Sequence, residues 1–301
     1  MNILVTGASG QLGSELRELV KNTESEFTDK IIKNSKFFFT NKDKLDITKK
    51  EDIEKFVNEN SIDFIINCAA YTAVDKAEEE KELADLVNHK AVEYLANVCR
   101  QKGIYLIHIS TDYVFDGKNY RPYVETDKVA PQGVYGETKL KGEEAFKKAG
   151  AKGIIIRTSW VYSSYGHNFV KTMLRLAQTK DELGVIFDQV GTPTYAKDLA
   201  SALLKIVSLE ASNEKSLQDS VNIYHYSNEG VCSWYDFAKA IFEISGNNIK
   251  INAIETKEYP TPAKRPHYSV LNKLKIKNDF NIHIPYWKDS LRECITKILN
   301  D

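Results

Sequence analysis

Residues 2–13 read NILVTGASGQLG, a short apolar run that leads into three glycines spaced three residues apart. Residues 2–6 predict a strand, and residues 14–20 predict a helix. Gly7, Gly10 and Gly13 fall near the junction of the two, where glycines permit a tight turn, close approach of a phosphate to the backbone, and close helix packing. A plain flexible turn is the alternative interpretation of the glycines alone. Their position between a strand and a helix favours a dinucleotide-binding loop.

Outward from this loop, apolar runs and helical patterns alternate through the first half of the chain. Further strands are predicted at 37–40, 63–67, 104–109 and 153–157, and helices at 74–82, 83–102 and 134–148. Thr48 and Glu51 are spaced as a capping box for one more helix, which ends near residue 58. This alternation is typical of a Rossmann-type doubly wound parallel sheet in an α/β protein.

Beyond Trp160 the pattern loosens, with a helix predicted at 196–209, a surface loop at 215–220 and a strand at 221–226. We therefore predict two domains. The first is a dinucleotide-binding Rossmann domain over 1–160, with part of 185–225 packing back onto it. The second is a smaller C-terminal α/β domain over 161–301, which is mainly substrate-binding.

Composition and charge exclude several classes of protein. The chain has 301 residues, 42% hydrophobic and 28% charged, which is enough for a full α/β domain and a smaller one. A formal net charge of −1 argues against nucleic-acid binding, because proteins that neutralise many phosphates have a clear basic excess. No apolar run reaches the roughly 18 to 20 residues of a membrane span, and no signal-peptide pattern begins the chain. We expect a soluble, cytoplasmic protein that does not bind membranes.

The four Cys and six His residues are scattered along the chain. They show no Cys-x-x-Cys pair and no spacing typical of metal ligands. Reduced, mostly buried thiols therefore fit this pattern better than a disulfide framework or a zinc site. We predict no metal site.

A Tyr-x-x-x-Lys spacing puts a phenol and an ammonium one turn apart on the same helix face. The chain has this spacing twice, at Tyr135/Lys139 and at Tyr235/Lys239. The amino-acid composition predicts about one or two such matches by chance. Only the first pair follows an apolar run that brings Thr111 to the carboxyl end of a predicted strand, where open α/β sheets bind ligands. We interpret the second pair as part of an ordinary amphipathic helix.

Tyr135 is therefore the candidate acid. An isolated Tyr has a pKa of about 10, and a neighbouring cation favours the phenolate. Lys139 is expected to bring proton exchange with a substrate oxygen nearer to neutral pH. Ser110 and Thr111 place hydroxyl groups close to this pair.

Three further stretches bear on a cofactor. Thr40, Asn41 and Lys42 lie at the end of the second predicted strand, where an NAD-selective fold would have an acid for the ribose 2′-hydroxyl, so the choice between NADH and NADPH stays open. Asp46 is either a polar loop residue or an acceptor for an adenine amino group. The small residues at 68–70 would let a cofactor lie close to the backbone. Asn88 either binds a backbone group or caps a turn.

A proline-containing stretch over 256–269 also includes Lys264, Arg265 and His267. We interpret it as a segment that covers the substrate. A plain extended linker is the alternative.

Several motifs resemble those of the extended short-chain dehydrogenase/reductases. They are GASGQLG at 7–13, STDYVF at 110–115, YGETK at 135–139, RTSWVY at 157–162, DQVGTPT at 188–194 and RP at 265–266. The resemblance runs nearly from end to end, and STDYVF and the Trp motif are far more specific than the glycines. Within the family, the likeness is greatest to members that act on dTDP-4-dehydro-L-rhamnose.

The resemblance implies a reaction. NADH or NADPH would reduce the C4 keto group of this small-molecule nucleotide sugar to give dTDP-L-rhamnose. Tyr135 would protonate the oxygen, Lys139 would bind the nicotinamide ribose and lower the Tyr135 pKa, and Thr111 would hydrogen-bond the carbonyl oxygen.

The resemblance also implies binding residues. Those for the cofactor would be Gly7, Gly10, Gln11, Leu12, Asp46, Ile47, Ala69, Ala70, Tyr71, Thr72, Tyr135 and Lys139. Those for the substrate would be Thr111, Asp112, Trp160 and Arg265. Metal-bridged dimers occur in the family, so a homodimer is an open possibility, but without a dedicated ligand cluster we predict no catalytic metal.

Two other functions stay open. A non-catalytic, cofactor-binding regulatory subunit would usually lack part of the Tyr, Lys and Ser/Thr set, which is intact here. Another nucleotide-sugar enzyme, an epimerase or a dehydratase, would keep NAD bound through its cycle.

Overall fold

A computed structural model describes residues 1–22, 29–212 and 221–300. Its strands are, in chain order, β1 (Asn2–Thr6), β2 (Lys36–Phe39), β3 (Phe64–Asn67), β4 (Tyr105–Thr111), β5 (Gly153–Thr158), β6 (Val161–Tyr162), β7 (Glu182–Ile186), β8 (Val190–Gly191), β9 (Thr194–Tyr195), β10 (Asn222–His225), β11 (Cys232–Ser233), β12 (Lys250–Ile254) and β13 (Tyr268–Ser269). Its α-helices are α1 (Gln11–Lys21), α2 (Lys30–Lys33), α3 (Lys50–Asn60), α4 (Val74–Ala77), α5 (Lys81–Asp85), α6 (Ala91–Lys102), α7 (Val134–Ala149), α8 (Phe169–Ala177), α9 (Ala196–Ala211), α10 (Trp234–Ser245), α11 (Leu274–Phe280) and α12 (Trp287–Asn300).

Within the described residues, six strands form one parallel sheet in the order β10-β5-β4-β3-β1-β2. The chain runs from β1 to β2 on one side and then returns to β3 on the other side of β1. Such a reversal opens a crevice beyond the carboxyl ends of the strands, and doubly wound sheets bind their ligands there. The crevice of this sheet therefore lies beyond β1 and β3.

Apolar side chains cover both faces of the sheet. Successive residues of a strand point to opposite faces, so Ile3 and Val5 pack into one core with Leu16 of α1. Leu4 packs into the other core with Leu95 of α6. Burial on both faces explains why these strands are nearly continuous apolar runs in the sequence. The predicted doubly wound parallel sheet is confirmed.

Residues beyond Trp160 divide between this sheet and a separate apolar cluster. β10 pairs with β5, and α9 packs on α1, so both add to the first half of the chain. The separate cluster joins α8, α10 and α12 around buried side chains such as Phe237 and Leu291. Two of the smaller sheets, β11-β8-β13 and β12-β7, lie in this part. The domain boundary near residue 160 stays a prediction.

Three local predictions differ from the structure. The capping box is wrong: α3 begins at Lys50 without a side-chain cap, and the Thr48 hydroxyl instead donates a 2.6 Å hydrogen bond to Asp46. The helix predicted at 74–82 is two short helices, α4 and α5. The helix predicted at 83–102 contains a π-helical turn, Leu86–Lys90. The loop predicted at 215–220 lies outside the described residues.

In the ranges that the structure describes, every helix is too short or too polar to cross a membrane. Over the same ranges, three or more His, Cys, Asp or Glu side chains nowhere gather in a way that would hold a metal ion. The predicted absence of a catalytic metal stays a prediction.

Candidate active site

The glycine loop after β1 lies directly against the chain that follows β3. Gly7 has a φ of +64°, and a Cβ built on it would lie 2.6 Å from the backbone nitrogen of Ala69. A Cβ on Gly13 would lie 2.6 Å from the carbonyl oxygen of Gly7. Side chains are therefore excluded at both positions. The backbone of the glycine loop therefore lines the crevice without side chains at these positions.

A cavity of about 820 Å³ lies over this loop. Helix α1 begins at Gln11, and Gly10 before it offers no side chain to the first N–H groups. These unpaired donors and the helix dipole favour an anionic group. A cradle of backbone that any Cβ would fill, at the start of a helix, fits the pyrophosphate of a dinucleotide.

Most of the predicted cofactor-binding residues line this cavity. They are Gly7, Gly10, Gln11, Leu12, Asp46, Ile47, Ala69, Ala70, Thr72, Tyr135 and Lys139. Tyr71 is the exception, since it is not among the lining residues, and its contact with the cofactor stays a prediction. Its phenol donates to Glu80 at 2.7 Å.

Asn88 fixes the loop that carries Tyr71. The Tyr71 N–H donates to Asn88 Oδ1 at 2.8 Å, and the Tyr71 carbonyl accepts from Asn88 Nδ2 at 3.0 Å. Of the two roles left open for Asn88, the structure has the backbone-binding one. This side chain lies in the π-helical turn and is buried. It therefore ties the wall of the cavity to the helix behind it.

The far end of the cavity is lined by Asn41, Lys42 and Asp46. Thr40 is buried, and its N–H and its hydroxyl donate to the Val5 carbonyl at 2.9 and 3.3 Å. Burial opposes ionisation of Asp46, but hydrogen bonds from the Thr48 side chain and backbone outweigh it and lower the Asp46 pKa. This end of the cavity is therefore lined by the Lys42 side chain and the ionised carboxylate of Asp46. Residues 40–42 include no Asp or Glu.

Tyr135 and Lys139 lie on α7 at the cavity wall. The Lys139 ammonium donates a 2.6 Å hydrogen bond to the Ile109 carbonyl of β4. Burial lowers the Lys139 pKa to about 8, although Glu143 acts in the opposite sense. Burial raises the Tyr135 pKa to about 12, and the neighbouring Thr111 hydroxyl offsets only part of this rise. The expected shift of the Tyr135 pKa towards neutrality is therefore absent in this arrangement, because burial dominates and the ammonium bonds elsewhere.

Thr111 ends β4, and Asp112 follows it. The Thr111 hydroxyl donates to Asp112 Oδ1 at 3.0 Å and accepts from the Tyr113 N–H at 3.2 Å. Burial raises the Asp112 pKa to about 6, while the hydroxyls of Ser269 and Thr111 counteract it. Thr111 thus joins the Tyr135 phenol to a buried carboxyl group. This is a hydrogen-bonded set of the kind that positions an acid.

Ser110 lines the cavity, but its hydroxyl already has a partner. It donates a 2.5 Å hydrogen bond to Glu143, one turn beyond Lys139 on α7. Arg157 of β5 donates to the same carboxylate from Nε at 2.9 Å and from a terminal nitrogen at 2.7 Å. Both charged side chains are almost completely buried, at 2% and 0% exposure. This pair joins α7 to β4 and β5 beneath the Tyr135 site.

Three of the four predicted substrate-binding residues line the cavity, and the fourth does not. Thr111, Asp112 and Trp160 line the cavity. Arg265 is not part of its wall: its two terminal nitrogens donate to the Asp75 carboxylate at 3.1 and 2.7 Å. The prediction that Arg265 contacts the substrate therefore finds no support in this arrangement, because Asp75 on α4 occupies the guanidinium.

The segment 256–269 is nevertheless not a plain linker. The Ala263 N–H also donates to Asp75, at 3.1 Å. The Tyr268 N–H donates to the Gly117 carbonyl at 3.1 Å. Through these bonds and Arg265, the segment is attached to elements of the first half of the chain beside the cavity. Its covering of a substrate stays a prediction.

Known proteins resemble this chain over nearly its whole length. The family model described as the RmlD substrate binding domain matches residues 1–300. A dTDP-4-dehydrorhamnose reductase from Aggregatibacter actinomycetemcomitans is 42% identical over 298 residues, which are 96% of this chain and 97% of the relative. The chain belongs to the RmlD family. The resemblance carried by the sequence motifs is confirmed.

Solved structures of the RmlD family have the same architecture. A dTDP-4-dehydrorhamnose reductase from Clostridium acetobutylicum gives a TM-score of 0.89 at 42% identity, covering 99% of this chain and 100% of that one. A dTDP-4-dehydrorhamnose reductase from Bacillus anthracis, in complex with NADP, gives 0.88 at 35% identity, covering 98% and 99%. The fold of this RmlD-family chain is thus shared over nearly its whole length.

Three residues of this RmlD-family site were not predicted as part of it. Glu143 follows Lys139 by four residues, so its place on the same helix face was available as a signal. Glu78 accepts from the Val134 N–H at 2.9 Å and so caps the helix that carries Tyr135. Trp234 stacks on Trp160 with ring centroids 3.6 Å apart. The sequence offers no local signal for the last two, because their partners are distant in the chain.

Proposed function

We propose that this chain catalyses the NAD(P)H-dependent reduction of the C4 keto group of dTDP-4-dehydro-L-rhamnose, which gives dTDP-L-rhamnose. One observation carries the proposal: Tyr135, Lys139 and Thr111 face the same cavity as the glycine cradle at the start of α1. A donor for a developing oxyanion and a seat for a dinucleotide therefore share one space. The relatives named above, which are dTDP-4-dehydrorhamnose reductases, support the substrate.

In this proposal, a bound reduced nicotinamide supplies the hydride, and Tyr135 supplies the proton. With a pKa raised to about 12, the phenol is protonated at neutral pH and is available as a general acid. An alkoxide that forms at C4 is a strong enough base to take its proton. The adjacent Thr111 hydroxyl then turns its hydrogen from Asp112 to the negatively charged oxygen, which is either the resulting phenolate or the sugar oxygen.

Lys139 supplies positive charge beside the acid. Its pKa of about 8 keeps the ammonium largely charged at neutral pH. One helical turn from Tyr135, this charge favours the phenolate that is left after proton transfer. The bond to the Ile109 carbonyl holds it in place. We propose that the same ammonium also binds the nicotinamide ribose.

The remaining residues divide the cavity between two ligands. The N-terminus of α1 and the backbone at Gly7 and Gly10 would hold the pyrophosphate, and Asp46 the adenine. Asp112 and Trp160 would contact the sugar. Both of these sugar contacts lie within 1–160, and Val161, Gly166 and His167 are among the cavity residues of the second half. The roles of 1–160 as mainly cofactor-binding and of 161–301 as mainly substrate-binding therefore stay a prediction. A homodimer and a cytoplasmic location stay predictions, to be checked by light scattering and cell fractionation.

The decisive experiment is an assay of the purified protein with dTDP-4-dehydro-L-rhamnose, in which NADH and NADPH oxidation are followed and the product is identified. We expect turnover with both cofactors and a modest preference, because residues 40–42 lack an acid and Lys42 lines the cavity. A preference for NADH above roughly a thousandfold, about 4 kcal/mol, would contradict this account of the ribose end.

The same preparation separates the alternatives. A regulatory subunit would bind the cofactor without oxidising it. An epimerase or a dehydratase would be purified with NAD bound, and its absorbance would show the nucleotide. Formation of dTDP-L-rhamnose with stoichiometric cofactor oxidation is expected only for the reductase.

A further inference from the structure

Trp160 has an unusual backbone conformation for its residue type. Its φ is +48°, in the left-handed region that an L residue with a large side chain seldom adopts. Its carbonyl accepts from the Thr194 N–H at 3.1 Å, which fixes the peptide between β5 and β6. A strained residue of this kind persists when its surroundings determine it, and such residues cluster at ligand sites. The contacts that hold the Trp160 indole therefore bear on how this residue could bind a ligand.

Two neighbours fix that indole. Trp234, the first residue of α10, stacks on it with ring centroids 3.6 Å apart and planes inclined by 13°. A Cβ on Gly191 would lie 2.8 Å from Trp160 Cε2, so the absence of a side chain there makes room for the ring. Phe169 of α8 supports Trp234 in turn, with centroids 4.7 Å apart. The Trp160 ring is thus held by these neighbours, and Trp160 also lines the cavity.

Trp234 itself is not a cavity residue and is not a central core residue. It lies at the edge of the apolar cluster of the C-terminal half and is only partly buried. The start of α10 does not depend on it either, because Ser233 and Asp236 form a complete capping box there. Among the described residues, Trp160, Phe169 and Phe237 have rings that contact the Trp234 ring, and of these Trp160 lines the cavity.

We propose that Trp234 is a positioning residue for sugar binding, which acts by holding Trp160 at the cavity wall. This inference rests on the proposed function, since it assumes a nucleotide sugar next to Trp160. An aromatic face held in one orientation offers a flat apolar surface to the weakly polar side of a deoxysugar. Without Trp234, the Trp160 ring gains alternative orientations, and part of the sugar contact is lost. Cofactor binding, at the α1 end of the cavity, is unaffected.

The test compares Trp234→Leu and Trp234→Phe with a matched control, Trp287→Leu. Trp287 belongs to the same apolar cluster and packs on Phe237 at a centroid distance of 5.9 Å, but it does not stack on Trp160. For Trp234→Leu we expect KM for dTDP-4-dehydro-L-rhamnose to rise by about 3- to 10-fold, the worth of one aromatic stack. KM for NADPH should change by less than about twofold. Trp234→Phe should restore most of the sugar affinity.

Circular dichroism reports the stacking of the two indoles separately from the stability of the fold. Two stacked indoles couple as an exciton pair, so the wild type and Trp287→Leu should show the couplet and both Trp234 variants should lose it. An unchanged sugar KM in Trp234→Leu despite a lost couplet would overturn the proposal. So would an equal rise of the sugar KM in the Trp287 control.

Failure of the proposed function would give a different result. If the wild type bound dTDP-L-rhamnose but turned over no substrate, the reductase assignment would be wrong, and calorimetric affinities for dTDP-L-rhamnose would replace KM in the same comparison. The same order of affinities would then support the positioning role by itself. Absence of binding by the wild type would overturn both proposals.

Discussion

Two helices of this molecule carry the same three residue types at the same spacing and use them differently. The series Tyr-x-x-x-Lys-x-x-x-Glu occupies positions 135, 139 and 143 of α7 and positions 235, 239 and 243 of α10. On α7, Lys139 is 2% exposed and Glu143 is 0% exposed. On α10, the Lys is exposed and the Glu side chain is 66% exposed.

The difference arises from what each helix face meets. α7 lies against β4, so Lys139 reaches the Ile109 carbonyl and Glu143 reaches Arg157 of the neighbouring strand. α10 turns the corresponding residues towards solvent, where Glu243 pairs with Lys288 at 2.9 Å. Helical spacing thus puts three groups on one face, and the position of the helix relative to the sheet crevice decides whether they can do chemistry.

The largest expected effect separates the two Tyr residues. Tyr135→Phe should keep the fold and cofactor binding and lower kcat by roughly 10² to 10⁴, the usual worth of one general acid. Tyr235→Phe is the matched control and should change kcat little. Steady-state kinetics and cofactor titration check both variants. Near-normal turnover of Tyr135→Phe would mean that another group donates the proton, and equal losses in the two variants would mean that the active site is elsewhere.

The parts that were predictable from sequence rest on local patterns. β1 and the glycine loop are readable because the apolar run, the glycines and the start of α1 are consecutive in the chain. The Thr48 capping box fails for a local reason as well, since Asp46 two residues earlier competes for the same hydroxyl. The spacing of Thr48 and Glu51 predicts a capping bond, but it does not show whether a nearer acceptor such as Asp46 takes the Thr48 hydroxyl.

The parts that were not predictable depend on distant partners. Arg265 has a plausible substrate-binding motif, but its guanidinium pairs with Asp75, 190 residues away in the chain. Trp160 and Trp234 lie on different elements and meet only in the folded chain. The burial that raises the Tyr135 pKa is likewise a property of the packed site, so the neighbouring Lys139 alone gave the wrong direction.

A second contrast concerns stability. Glu143→Gln leaves the buried Arg157 guanidinium without its counter-charge, so we expect the free energy of unfolding to fall by about 3 to 5 kcal/mol. Glu243→Gln removes only a solvent-exposed pair and should leave the denaturation midpoint unchanged within error. Urea titrations of both variants measure the difference. Similar midpoints for the two would show that the buried pair contributes no more than the exposed one.

The third contrast, with the smallest effect, concerns the two Lys residues. Lys139→Met should slow turnover and weaken cofactor binding by roughly 10- to 150-fold, the worth of a hydrogen bond to a charged group, whereas Lys239→Met should do neither.

The pH profile sharpens the test. Burial lowers the Lys139 pKa from 10.5 to about 8, so the ammonium is present below about pH 8 and is lost as the pH rises through that value. Turnover that depends on the ammonium should therefore fall on the alkaline side near pH 8 in the wild type and in Lys239→Met. In Lys139→Met that limb should disappear, and the next alkaline loss should come only as Tyr135 ionises. That loss should lie at a pH above the wild-type Tyr135 pKa of about 12, because the cation that favours the phenolate is gone. A limb that stays near pH 8 in Lys139→Met would assign it to another group and would remove Lys139 from the catalytic set.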